Sequence, residues 1–166
     1  ARLIDPLSHL DEEGDLLIDH GRIAAIGRGP VAKDAEVVDC TGLVLAPGLV
    51  DMHVHLRDPG QTEKEDILSG CRAAAAGGVT TLLCMPNTRP TIDTPETVRY
   101  VLDKAAHATA HVCVAGALTM HLGGEQRTDM AALRDAGVTA FSDDGRPVTD
   151  SRLMADALRE AAALGV

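Results

Sequence analysis

The 166-residue sequence has no tryptophan, one tyrosine and one phenylalanine. With aromatics at 1%, a core has to be built from Val, Leu, Ile, Ala and Met. The sequence also lacks any apolar run near the roughly 18 residues that a membrane span needs, and its start has no signal-peptide pattern. A cytoplasmic location without a membrane partner is the expectation. Cations are in the minority: 15 Lys and Arg against 25 Asp and Glu leave a net charge of −10. That balance excludes nucleic acid as the expected partner, because phosphate binding rests on clustered cations. Paired cysteines are absent as well. Cys40, Cys71, Cys84 and Cys113 are scattered with no C-x-x-C spacing, and they read as reduced, buried thiols. There is no initiator Met, and "AAALGV" closes the sequence directly after a helical pattern. The chain is therefore expected to be a piece of a longer protein.

What is present divides into two styles. Residues 1–46 carry short β-type runs separated by turn residues. Leu16–Ile18 and Ile23–Ile26 flank His20-Gly21, a hairpin-like turn, and "AEVVDCTGLVLAPG" continues in the same manner. Residues 47–166 instead repeat strand, loop and helix four times. "LVDMHVHL" reads as a strand, and "QTEKEDILSGCRAAAAGG" as a helix opened by a Thr62/Glu65 capping box and stopped at Gly77-Gly78. "VTTLLCMPN" is followed by a helix with Thr94 as N-cap and Pro95 at its first position. "HVCVAGALT" precedes a helix that ends at Gly137, and "VTAFSDDG" precedes one that ends at Gly165. Four consecutive βα units with short connections predict a parallel sheet with helices outside it, a pattern that fits a doubly wound sheet and a (β/α)8 barrel equally.

In either architecture chemistry collects at the C-terminal ends of the strands. The first strand ends in His53, His55, Arg57 and Asp58, the second in Met85, Pro86 and Asn87, and the fourth in Ser142, Asp143, Asp144 and Gly145; the third offers only Thr119. Residues i and i+2 of a strand share a face, so His53 and His55 project together and can each give one nitrogen to a single zinc-class ion. The competing reading is two strand histidines hydrogen-bonded to their neighbours. Asp143 and Asp144 alternate in direction, so at most one points at the site, and alternation does not say which. Arg57 offers a guanidinium fork suited to a carboxylate, with a surface pair to Asp58 or to the Glu63–Asp66 run as its competing use. Asn87 adds a neutral donor and acceptor. His121 reads as an exposed loop residue, and His9, His20, His107 and His111 have no convergent partners. The "EKED" run reads as the solvated first turn of a helix.

"PGLVDMHVHLRDPG", "AGGVTTLLCMPNTRPTID" and "AFSDDG", in this order and spacing, resemble the amidohydrolase superfamily and within it the type I dihydroorotases. The likeness runs from about Ala46 to the last residue, and the preceding β-unit resembles the partial β-sandwich that these enzymes carry. It implies an α/β fold: four βα units, the first half of a (β/α)8 TIM barrel, after a small partial β-sandwich. It further implies a zinc-dependent cyclic amidohydrolase, with one or two Zn2+ ions per complete site, that interconverts N-carbamoyl-L-aspartate and L-dihydroorotate in pyrimidine synthesis. By the resemblance His53 and His55 are metal ligands and Asp144 is the carboxylate that completes the centre, while His55, Arg57 and Asn87 hold the substrate. Relatives that use a carboxylated strand-four lysine have no counterpart here, where the lysines are Lys33, Lys64 and Lys104. The proton-shuttling aspartate and two further histidines of the family belong to later strands, beyond this sequence. A homo-oligomer is expected, with aspartate transcarbamoylase as a candidate partner. The rival readings are a hydantoinase or allantoinase, and a catalytically silent homologue with a structural role.

Overall fold

A computed structural model describes residues 1–29, 32 and 34–166. Lys33 lies outside the described residues. The chain forms two compact units, Ala1–Pro47 and Gly48–Val166. No helix among the described residues is long and apolar enough to cross a membrane.

The first unit is all β. Strand β1 (Arg2–Asp5) pairs antiparallel with β2 (Leu10–Glu13) and parallel with β5 (Val44–Leu45). β3 (Asp15–Asp19) and β4 (Arg22–Gly27) form the hairpin expected across His20-Gly21. Both turn residues have positive φ, 47° and 72°, the backbone sign that matches a two-residue turn to the right-handed strand twist. The "AEVV" run departs from the expected strand pattern: residues 35–40 form no strand, and Val37 and Val38 are 70% and 75% exposed. Asp39 accepts hydrogen bonds from the Thr41 N–H and hydroxyl, a local side-chain turn that competes with extended pairing.

The second unit alternates β6 (Leu49–Val54), α1 (Ile67–Ala76), β7 (Val79–Cys84), α2 (Pro95–Ala105), β8 (His111–Gly116), α3 (Met130–Ala136), β9 (Val138–Phe141) and α4 (Ser151–Leu164). All neighbouring strands are parallel and the spatial order is β6-β7-β8-β9. A doubly wound sheet reverses its strand order at a switch point. Strictly sequential order, with each helix returning to the next strand, is the winding of a barrel wall.

Helix α1 starts later than its sequence pattern suggests. Its N-cap is Asp66, which accepts from the N–H groups of Leu68 and Ser69, while the Ser69 hydroxyl answers the Asp66 N–H. The Thr62/Glu65 box does not form. "EKED" precedes the helix, and the first turn holds no acidic residue. The cap is decided by which side-chain oxygen reaches two free N–H groups, and Asp66 outcompetes Thr62 for them. Thr94 and Pro95 open α2 as expected.

The core is aliphatic, as the scarcity of aromatics requires. Ile67, Leu82, Val98, Val114, Leu133 and Val138 are fully buried between the sheet and its helices. Cys71 and Cys84 join them as free thiols, whereas Cys40 and Cys113 are only half-buried. Burial pushes the Cys84 thiol up to about 12. The neutral thiol is the form that the fold favours, so this stabilisation is complete below the ordinary thiol value and is lost as pH rises through about 12. Cys84 is expected to stay unmodified when native protein meets iodoacetamide at mildly alkaline pH, and to react once unfolded. Peptide mapping showing Cys84 alkylated as fast natively as in denaturant would contradict this.

Candidate metal centre

Three loops meet at the C-terminal edge of β6–β9. The β6 strand carries His53 near its end, and His55 follows one residue after the strand stops. After β9 the chain turns through Ser142–Gly145, and here the two aspartates part. Asp143 turns inward: one of its oxygens accepts from the N–H groups of Leu118 and Thr119 at 2.8 and 2.9 Å, and the other from the Thr119 hydroxyl. It is buried, and it welds the β9 loop to the β8 loop. Asp144 is left facing the histidines.

His53 Nε2 lies 2.9 Å from Asp144 Oδ1, and His55 Nε2 lies 3.6 Å from Asp144 Oδ2. The Asp144 side chain is 15% exposed, against 57% for His53 and 30% for His55, so the cluster opens on the His53 side. The imidazoles stand edge to face with centroids 5.2 Å apart. Asn87, after β7, lies between two of these groups. Its amide Nδ2 donates to Asp144 Oδ2 at 2.6 Å, and its Oδ1 is 3.0 Å from His55 Nδ1. With the amide nitrogen committed to the carboxylate, Oδ1 can only accept, so His55 must donate from Nδ1. In the neutral ring this tautomer leaves a lone pair on Nε2, the atom facing Asp144.

One ligand atom from each of His53, His55 and Asp144 can be chosen so that all lie within 4.8 Å of one another. Tetrahedral zinc with bonds of about 2.0–2.2 Å requires neighbouring donors roughly 3.3–3.5 Å apart. The two nitrogen–oxygen separations bracket that spacing. Two imidazoles and one carboxylate also match the donor types of a catalytic rather than a structural zinc site. The residues fit a metal ion of this class, and Asn87 hydrogen-bonds two of the three, His55 and Asp144.

Arg57 follows His55 by two residues in the chain. It is half-buried, its φ is 61°, and among the described residues no ion pair includes it. Its neighbour Asp58 is turned away into helix α2. The Asp58 side chain is 1% exposed and accepts from the Tyr100 hydroxyl at 2.9 Å and from Lys104 Nζ at 2.8 Å. The hydrogen bond that Lys104 donates to Asp58, and after it the interaction with the Tyr100 hydroxyl, holds the Lys104 ammonium above the ordinary lysine value.

The structure thus gathers His53, His55, Asn87 and Asp144 into one polar cluster, to which no side-chain hydrogen bond or ion pair among the described residues joins Arg57. Asn87 is engaged with the two candidate ligands, a use that its sequence context did not reveal. Three buried aspartates have tethering roles that the sequence did not reveal, where Asp58 and Asp143 read only as strand-end groups. Asp58 ties the β6 loop to α2, Asp143 ties the β9 loop to the β8 loop, and Asp93 accepts from the His121 N–H at 2.9 Å and lies 3.0 Å from its Nδ1. The His121 side chain is 81% exposed, as expected for a loop residue, yet its backbone, at φ 55°, is fastened by that carboxylate. The available signal was the excess of Asp in apolar, Pro- and Gly-rich loops, where a carboxylate can satisfy several N–H groups at once.

Residues 42–166 match the Dihydro-orotase-like family. The dihydroorotase of Geotalea daltonii is 50% identical over 168 residues, which cover 100% of this chain and 40% of that protein. The dihydroorotase of Aquifex aeolicus is 47% identical over 165 residues, covering 99% and 39%. The chain therefore spans about 40% of the length of these curated relatives. Among solved structures, the L-hydantoinase (dihydropyrimidinase) from Arthrobacter aurescens aligns with a TM-score of 0.79 at 25% identity, covering 99% of this chain and 37% of that one. A D-hydantoinase aligns with a TM-score of 0.78 at 27% identity over the same shares. Both alignments take in nearly the whole of this chain, including the sequentially ordered strands β6–β9. With most of its length matched and its barrel wall in the expected order, this chain belongs to the dihydroorotase-like family.

Proposed function

We propose that the protein containing this chain is a zinc-dependent dihydroorotase, which interconverts L-dihydroorotate and N-carbamoyl-L-aspartate by adding water across a ring amide and breaking its C–N bond. The observation that carries the reading is the convergence of His53, His55 and Asp144, joined in the sequence by an Arg57 two residues after His55 that has no ion-pair partner among the described residues. His53 and His55 would hold the ion through Nε2 and Asp144 through its carboxylate. A bound zinc ion polarises the amide carbonyl and lowers the pKa of water from 15.7 towards about 7. Asn87 keeps His55 in the tautomer that offers Nε2 and orients the Asp144 carboxylate. Arg57 would receive the substrate carboxylate through its planar fork, placing the ring amide over the centre.

A hydantoinase is the second reading, favoured by the solved structures that share this fold. Arg57 separates the two, since a hydantoin ring has no carboxylate for it. The test is a side-by-side assay of the full-length protein on L-dihydroorotate, hydantoin and allantoin, with the 166-residue chain assayed beside it. The full-length protein is expected to prefer dihydroorotate, and the chain alone is expected to show no turnover and weak zinc binding, because three protein donors from one barrel wall leave the opposite side of the site open. Preference for hydantoin would overturn the substrate assignment, and turnover by the isolated chain would overturn the claim that this wall is insufficient.

A further inference from the structure

Arg57 and Asp58 are adjacent, opposite in charge and unpaired with each other. The loop that carries them is held from three directions. Asp58 is anchored to α2 through Tyr100 and Lys104. The Arg89 N–H donates to the Pro59 carbonyl at 3.0 Å, and the Gln61 N–H donates to the Arg57 carbonyl at 2.9 Å. Gly60 lies so close to Arg89 that an added Cβ would fall 1.8 Å from its carbonyl oxygen. Between these fastenings Arg57 adopts a left-handed backbone, at φ 61°, which a non-glycine residue keeps only where its surroundings over-determine it.

We propose that Asp58, Tyr100 and Lys104 form a positioning device for Arg57, which fixes the turn onto α2 and withdraws the adjacent carboxylate from the guanidinium, leaving Arg57 to an anionic substrate. The inference rests on the reading of Arg57 as the residue that receives the substrate carboxylate. Its physical basis is competition for one cation. A buried carboxylate needs a counter-charge and hydrogen bonds to both oxygens. Lys104 supplies the charge, and Tyr100, the sequence's one tyrosine, supplies the second donor while its ring lies 4.8 Å from the same ammonium. Without them Asp58 has Arg57 as its sequence neighbour of opposite sign, and a guanidinium paired internally is lost to the substrate. None of the three groups needs to touch substrate.

The experiment is a double-mutant cycle in the full-length protein, with L-dihydroorotate as the probe. Lys104→Met is expected to raise KM about tenfold, with kcat within about twofold and metal content unchanged, and Lys104→Arg to restore most of the loss. In an Arg57→Met background, the same Lys104→Met change is expected to move KM less than about twofold, because the device works through Arg57. Tyr100→Phe keeps the ring and the Asp58–Lys104 pair, and serves if Lys104→Met fails to fold; it is expected to raise KM about threefold in the parent and not at all beside Arg57→Met. An unchanged KM in Lys104→Met or Tyr100→Phe, a full effect without Arg57, or a loss confined to kcat or to metal would overturn the inference. If Arg57→Met alone leaves KM unchanged, the carboxylate reading fails and this inference falls with it.

Discussion

Replacing Asp144 by alanine in the full-length protein is expected to reduce bound metal to a small fraction of the parent level and to lower kcat/KM on the order of a thousandfold. The reasoning is that Asp144 approaches both histidine Nε2 atoms, at 2.9 and 3.6 Å, so its removal takes away the anionic donor and leaves two imidazoles with no shared counter-charge. Charge stabilisation by a metal is worth several kcal/mol, and each ~1.4 kcal/mol is a factor of about ten in rate. Asn87→Ala should cost less, about 10- to 100-fold, because it deletes only the hydrogen bonds that orient the ligands. Asp143 is the internal control. Its alanine variant should keep the metal but melt earlier, since the buried N–H groups of Leu118 and Thr119 lose their acceptor, at about 1–3 kcal/mol for each orphaned group. Metal analysis by atomic emission alongside thermal melts distinguishes the two aspartates. Full metal occupancy in Asp144→Ala, or metal loss in Asp143→Ala with an unchanged melt, would reject the assignment.

A comparably large effect is expected from the smallest possible side chain at Gly60. Its φ is 87°, and a Cβ there would sit 1.8 Å from the Arg89 carbonyl oxygen and 2.7 Å from the carbonyl carbon. The neighbour is backbone and is itself held by the Arg89–Pro59 hydrogen bond, so it cannot swing aside as a side-chain tip would. A left-handed backbone with a Cβ costs roughly 1–2 kcal/mol, and forced overpacking adds about 1–3, giving about 2–5 kcal/mol for Gly60→Ala. Gly145 is the matched comparison: its φ is 77°, with nothing within 4 Å of the added carbon, so Gly145→Ala should lose only the conformational part. Thermal denaturation of both variants measures the difference. Equal melting temperatures would mean that the Arg57–Gly60 turn is not clamped against Arg89.

Much of this was readable in advance where a local rule applied. Thr94-Pro95 opens α2 because a capping hydroxyl and a residue without an N–H both suit a helix start, whatever surrounds them. The H-x-H spacing brings His53 and His55 together because a strand's side chains repeat every second residue. The same kind of rule failed at α1, where Thr62/Glu65 and Asp66/Ser69 are both acceptable caps and the fold uses the second. It failed again along Val37 and Val38, whose β-type side chains have no strand to pair with.

What the sequence determined by itself is a set of local commitments: an aliphatic core, four βα units, polar residues gathered at the strand ends, and the motifs that tie the chain to its family. Strand order, and with it the choice of a barrel wall over a doubly wound sheet, was decided only in three dimensions, because short βα connections permit both. The division of labour between Asp143 and Asp144 was decided there too, by the Leu118 and Thr119 N–H groups that capture one carboxylate and leave the other to the histidines. So was the lack, among the described residues, of an ion pair between Asp58 and Arg57. Asp58 stands next to it in the chain, and only packing against α2, with Lys104 46 residues away, turns that carboxylate elsewhere.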